Sequence, residues 1–151
     1  MKTETTRYVA GFLFSTDRRR VVLIHKTHPA WQAGRLNGVG GKINQGEMAL
    51  DAMMREFAEE AGRTISTWKH FCTLNGNGWS VEWFKAFSDV SIRTMTDERV
   101  EWFDIDEQFF GRFIPLTDTI PNVKWLVSLA LDKDDLVAVV TDPAEPLCDN
   151  V

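Results

Sequence analysis

Cysteine is scarce. The 151 residues hold two, Cys72 and Cys148, which argues against a disulfide framework and favours a reducing compartment, the cytoplasm, over secretion. Basic charge is also short. Lys and Arg number 17 against 22 Asp and Glu, a formal net charge of -5, so the broad basic face used to bind a nucleic-acid polymer is not expected. No apolar run reaches the length of a membrane span. The first residues, MKTETTRYVAGFLF, lack the charged, apolar, small-residue order of a signal peptide. Internal repeats and low-complexity linkers are missing too. The last absence is local: between Met48 and Gly62 there is no lysine, although Glu56, Glu59 and Glu60 crowd together there with Arg55 as the one basic residue.

What is present suits one domain. A hydrophobic fraction of 44% and a charged fraction of 26% are ordinary for a globular protein. A single domain is expected over 1–142, followed by a flexible tail over 143–151. Tyr8 to Phe14 is β-prone, Asp17-Arg18-Arg19 looks like a solvated turn, and Arg20 to Lys26 reads as the returning strand. His28 to Arg35 is a loop and Leu36 to Ile43 is short and glycine-rich. Met48 to Ala61 is a helix that Gly62 can end in a left-handed cap. Thr67 to Leu74 and Trp79 to Phe87 flank Asn75-Gly76-Asn77-Gly78, a strong hairpin signal. Val100 to Ile105 reads as a strand, Asn122 to Leu131 as a helix and Leu136 to Val140 as a last strand. A mixed sheet with helices on both faces, an α/β/α arrangement, is the natural packing. Of the six tryptophans, Trp68, Trp79, Trp83, Trp102 and Trp125 are expected in the core.

With Glu56 at zero on a helical wheel, Glu59 falls at about -60° and Glu60 at about +40°. Leu50, Met53, Met54, Phe57 and Ala61 form an apolar stripe on the adjoining arc, and Ala49 and Ala52 fall among the acids, leaving room for a ligand. Glu47, at the N-terminal end, can cap the helix or complement its dipole. Like charges at this spacing cost roughly 0.2–0.5 kcal/mol per pair. A solvated acidic face would ordinarily interleave lysine. The other reading is a hard divalent cation, since Mg²⁺ takes oxygen ligands and bridges carboxylates to substrate phosphates.

Gly41, five residues, Glu47, seven residues, Arg55-Glu56-Phe57, one residue, Glu59-Glu60, one residue and Gly62 resembles the Nudix box, with Arg63 where its last position is usually aliphatic. The resemblance implies a Nudix fold and an enzyme that hydrolyses a pyrophosphate bond in a nucleoside diphosphate derivative, with Mg²⁺ or Mn²⁺ as cofactor. It implies that Glu56, Glu59, Glu60 and the carbonyl of Gly40 bind the metal. Arg55 would orient the glutamates, and Glu59 or a carboxylate outside the box would help deprotonate water. Glu98 is a candidate for that outside carboxylate, with Glu101 next; a solvated loop acid is the alternative for either. Many family members dimerise, so a homodimer is compatible.

Gly34 to Lys42 is similar to the approach to the box in MutT-like members, which remove oxidised purine nucleoside triphosphates. There Asn37 would read the purine and Trp31 would stack on it, contributing roughly 1–3 kcal/mol. Asn122 is a candidate base contact. The oxidised-purine enzyme of animals has a pair of aspartates near here, whereas this chain has Pro121 and Asn122. Lys26 could meet a phosphate. The implied partner is a small nucleotide, cleaved to nucleoside monophosphate and pyrophosphate. ADP-ribose, a sugar nucleotide, a dinucleoside polyphosphate or a non-catalytic sensing role are the alternatives.

Overall fold

The computed structural model describes residues 4–106, 119 and 122–141. Among these, the order is β1 (Thr6–Phe14), β2 (Arg20–His25), β3 (Leu36–Asn37), β4 (Val39–Lys42), α1 (Ala49–Ala61), β5 (Lys69–Gly76), β6 (Trp79–Phe87), β7 (Val100–Asp104), α2 (Val123–Ala130) and β8 (Ala138–Thr141). The strands form one mixed sheet in the order β3-β2-β1-β6-β5-β8, with β4 on β1 and β7 on β2. β1 pairs with β6 in parallel along its whole length and with β2 and β4 antiparallel. β2 holds the end of β1 at Phe14, whereas β4 holds its beginning, from Tyr8 to Gly11. β2 and β4 thus share one edge of β1, and the glycine-rich β4 comes to lie beside the start of the central strand.

Side-chain alternation sorts the core into two layers. On one face Val9, Leu13, Val22, Ile24 and Phe84 pack with Ala52, Met53, Phe57 and Ala61 of α1. On the other Ala10, Phe12, Phe14, Val21, Leu23 and Trp83 pack with Val123, Leu126, Val127 and Ala130 of α2. The sheet is therefore covered by a helix on each side, as the element pattern predicts. The turn of β5 and β6 falls on Asn77-Gly78, where Gly78 takes φ +77°.

Several expectations need correction. Leu50 is 40% exposed and Ala52 is fully buried. The buried arc of α1 is thus rotated toward the acids, because α1 meets the sheet through Ala52, Met53 and Phe57, while Leu50 lies in the first turn. Ala52 leaves no room for a ligand. Trp68 and Trp83 are buried and Trp102 is partly so, but Trp79 and Trp125 are exposed. Trp79 lies at the hairpin end, where its ring covers Gly76. The strand expected from Leu136 begins at Ala138, with Leu136 exposed. Cys72 is a free, buried thiol, whereas Cys148, Pro121 and the tail 143–151 lie outside the described residues.

Candidate active site

The three helix acids meet different surroundings. Glu56 points inward, and a Cβ on Gly41 would overlap its carboxylate, so glycine at 41 is a requirement of close approach. Burial raises the Glu56 pKa against the pull of Arg55, and the charges of Glu59 and Glu60 add to the rise. Its side chain is 12% exposed. This corrects the wheel, which set all three acids off the core. Glu59 is 56% exposed. Glu60, in the last turn, accepts a hydrogen bond from the Thr96 hydroxyl at 2.7 Å.

Arg55 is the hub. Its Nε and Nη2 donate to the two oxygens of Glu47 at 2.8 and 2.9 Å. Nη1 donates to Glu56 at 2.8 Å and to Glu59 at 3.3 Å, and Nη2 reaches the Lys42 carbonyl at 3.1 Å. One guanidinium, with its planar fork of donors, thus fastens the loop before α1, the end of β4 and two helix acids together. Its own pKa is raised, chiefly by Glu47. Glu47 is held down at about 2 by Arg55 and by the Asn44 N–H. It does not cap α1: the N-cap is Met48, without a side-chain bond. The left-handed cap at Gly62 is present, with φ +69° and its N–H on the Ala58 carbonyl.

β4 brings Gly40 and Gly41 opposite Ala10 and Val9, next to α1. Among the described residues no three acidic, histidine or cysteine side chains are gathered closely enough to hold a metal ion as they stand. Arg55 engages Glu56 and Glu59, and Thr96 turns Glu60 toward its own loop. The donor chemistry nevertheless fits a hard cation: three carboxylates and backbone carbonyls, all oxygen.

Glu98 is not a solvated acid. It is 3% exposed and accepts from Lys26 Nζ at 2.9 Å and from the Thr27 N–H at 2.6 Å. Burial pushes its carboxyl up, but Lys26 and Thr27 outweigh this and hold it below the usual range. Lys26 is thereby engaged by Glu98. Glu101 pairs with His25 at 2.6 Å and Arg99 at 3.2 Å.

In β3, Asn37 donates to Gln32 Oε1 at 3.1 Å and accepts the Gly38 N–H at 2.8 Å. Trp31 is 62% exposed in the preceding loop. Leu36 bridges to Thr119 in parallel. The side-chain oxygens of Thr119 and Asn122 are buried and lack a hydrogen-bond partner among the described residues. Sequence reasoning missed Gln32, Thr27 and Thr96. The Thr-x-Glu spacing at 96–98, which suits a hydroxyl-to-backbone turn, was a signal for Thr96; nothing in the sequence marks the other two.

A family model described as the NUDIX domain matches residues 4–126. An oxidized purine nucleoside triphosphate hydrolase of Mus musculus is 30% identical over 119 residues, covering 74% of this chain and 72% of that protein. Its counterpart in Danio rerio is 32% identical over 98 residues, covering 60% of this chain and 63% of that protein. Among solved structures, a MutT from work on Aliivibrio salmonicida and Vibrio cholerae superposes with a TM-score of 0.67 at 25% identity, over 83% of this chain and 98% of that one. The NUDIX domain of Shewanella oneidensis NrtR, complexed with ADP ribose, gives 0.69 at 19% identity, over 86% and 88%, a likeness of fold alone.

Proposed function

This chain belongs to the Nudix family, and on that premise we propose that this Nudix hydrolase is a Mg²⁺-dependent pyrophosphohydrolase that splits purine nucleoside triphosphates into nucleoside monophosphate and pyrophosphate. The observation that carries the reading is the Arg55 hub, which binds Glu47, Glu56, Glu59 and the Lys42 carbonyl at one end of the sheet. Glu56, Glu59 and Glu60, with the Gly40 carbonyl, are the residues that would hold Mg²⁺ or Mn²⁺. When bound, such a cation offsets charge on phosphoryl oxygens and lowers the pKa of a water.

The chain's own residues supply the rest. Arg55 keeps Glu56 and Glu59 aimed to one side while leaving substrate alone. Glu59, the most exposed of the three, takes the proton of the attacking water. The water oxygen forms a bond to one phosphorus of the α–β bridge as the bridging P–O bond breaks. Orientation and electrostatics carry most of the acceleration. Glu98 is a weaker candidate for the base, because Lys26 and Thr27 already occupy its oxygens.

Preference for a purine base rests on Asn37, Trp31 and the buried oxygens of Thr119 and Asn122. A buried acceptor without a partner is rare in a finished core. The Asn122 oxygen suits a donor on the base edge, with Asn37 exchanging its Gln32 bond for the ligand. The names of the Mus musculus and Danio rerio relatives support the same substrate class. The test is a panel of unmodified and oxidised nucleoside triphosphates, ADP-ribose and sugar nucleotides, assayed for pyrophosphate and phosphate with and without Mg²⁺. Pyrophosphate release from purine triphosphates that requires Mg²⁺, and is lost in folded Glu59→Gln and Glu60→Gln, is expected. Release of phosphate alone, turnover of ADP-ribose alone, or undiminished hydrolysis by both variants would overturn the reading.

A further inference from the structure

The end of α1 is strapped by a segment that is neither helix nor strand. The last carbonyls of a helix have no partner within it. Here Ala61 O receives the Arg93 N–H at 3.0 Å and Glu60 O the Met95 N–H at 3.1 Å. Arg63, the residue that replaces the usual aliphatic end of the box, donates to the Ser91 carbonyl and hydroxyl, both at 2.7 Å. Residues 91–95 are thus pinned across the helix terminus at three points. The next side chain, Thr96, reaches back to the site.

Thr96 has one hydroxyl proton and uses it on Glu60 Oε2 at 2.7 Å, while its oxygen accepts the Glu98 N–H at 3.2 Å. The Glu98 carbonyl, at 3.5 Å, is a more distant acceptor for the same proton, so the shorter bond to Glu60 takes it. Oε2 of Glu60 is thereby engaged, and Oε1 has no bonded partner among the described residues. We propose that Thr96 is a positioning residue for the metal site: it sets the rotamer of Glu60, leaves Oε1 for the cation, and links that choice to the Glu98–Lys26 pair through the Glu98 backbone. This inference rests on the metal reading given above. Partners that orient a ligating carboxylate through its other oxygen typically matter about 10- to 100-fold in metal affinity.

The experiment is Mn²⁺ binding to the full chain, followed by the EPR signal of free Mn²⁺, with metal-free thermal unfolding in parallel. Thr96→Val keeps the shape and removes the donor, and is expected to weaken binding about tenfold or more, whereas Thr96→Ser, which restores the hydroxyl, stays within about threefold of the parent. In a Glu60→Gln background, Thr96→Val is expected to add nothing further. Thr96→Val binding as tightly as the parent, Thr96→Ser binding as weakly as Thr96→Val, or full additivity with Glu60→Gln would overturn the inference. The additivity arm also decides the matter if Thr96→Val alone lowers stability. A parent protein that takes up no Mn²⁺ overturns the metal reading itself, a result distinct from a parent that binds and a valine variant that binds equally.

Discussion

Replacing Arg55 with glutamine removes four bonds to carboxylates and one to a carbonyl. Exposed ion pairs contribute roughly 0–1 kcal/mol, and breaking a buried pair costs about 3–5 kcal/mol because a charge is left alone. With Glu56 12% and Arg55 28% exposed, the Arg55–Glu56 pair lies between these limits, so a loss of about 2 kcal/mol is expected. For a domain of this size that corresponds to a fall in Tm of about 4–8 °C. Urea unfolding at pH 7 with a chelator present measures it without interference from cations. Most of the cost is assigned to Glu56, whose charge then faces burial, Glu59 and Glu60 without a guanidinium. The double variant Arg55→Gln/Glu56→Gln should therefore recover at least about half of the loss, since removing both partners costs less than orphaning one. A loss below about 0.5 kcal/mol for Arg55→Gln, or a double variant no more stable than the single, would refute this account of the hub.

Three further outcomes are expected. Gly41→Ala places a Cβ on the Glu56 carboxylate, and should lower stability by about 1–3 kcal/mol together with turnover; unchanged unfolding and activity would contradict the close approach. Asp135 is held down at about 2, first by Lys69 and then by Lys85. Its folded pKa lies below the ordinary value of 3.8, so the stability it adds is present above that pH and lost as pH falls toward 2. Asp135→Asn, which also tolerates the φ of +56° there, should be less stable at neutral pH and show a flatter acid limb between those values. An acid transition identical to the parent's would rule this out. Asn37→Ala should lower kcat/KM for purine triphosphates by about tenfold and affect pyrimidine substrates less; equal losses on both would remove Asn37 from base recognition.

The periodic elements were readable from the sequence because each has a single face to bury. α2, with Val123, Leu126, Val127 and Ala130, is the clearest case. The hairpin was equally plain, since Asn-Gly turns have few alternatives. The wheel of α1 misled by one position because it assumes that charge and core separate. Glu56 breaks that rule: Gly41 opens a space for its carboxylate and Arg55, from the same helix, compensates it. Long-range polar partners were the other blind spot. Nothing local marks Thr27 as the backbone donor to Glu98 about seventy positions away, or Gln32 as the partner of Asn37. Such bonds are set by which loops the sheet order brings side by side, and that order is not periodic in the chain. The exposed Trp79 and Trp125 show the converse, that a large apolar residue at an element's end need not reach the core.

The parallel pairing of β1 with β6, from Thr6↔Trp79 to Phe14↔Phe87, has a consequence for biosynthesis. β1 emerges from the ribosome well before its longest partner. At about 5–20 residues per second the wait is about 4–15 s. β4 follows sooner but meets β1 only as far as Gly11, and β2 meets it only at Phe14. During the interval Phe12 and Leu13 sit on a nascent chain with one strand edge bare. A holding chaperone that recognises short apolar segments is therefore expected to engage this stretch until β6 has been made, and slowing translation before Trp79 should lower the yield of folded protein.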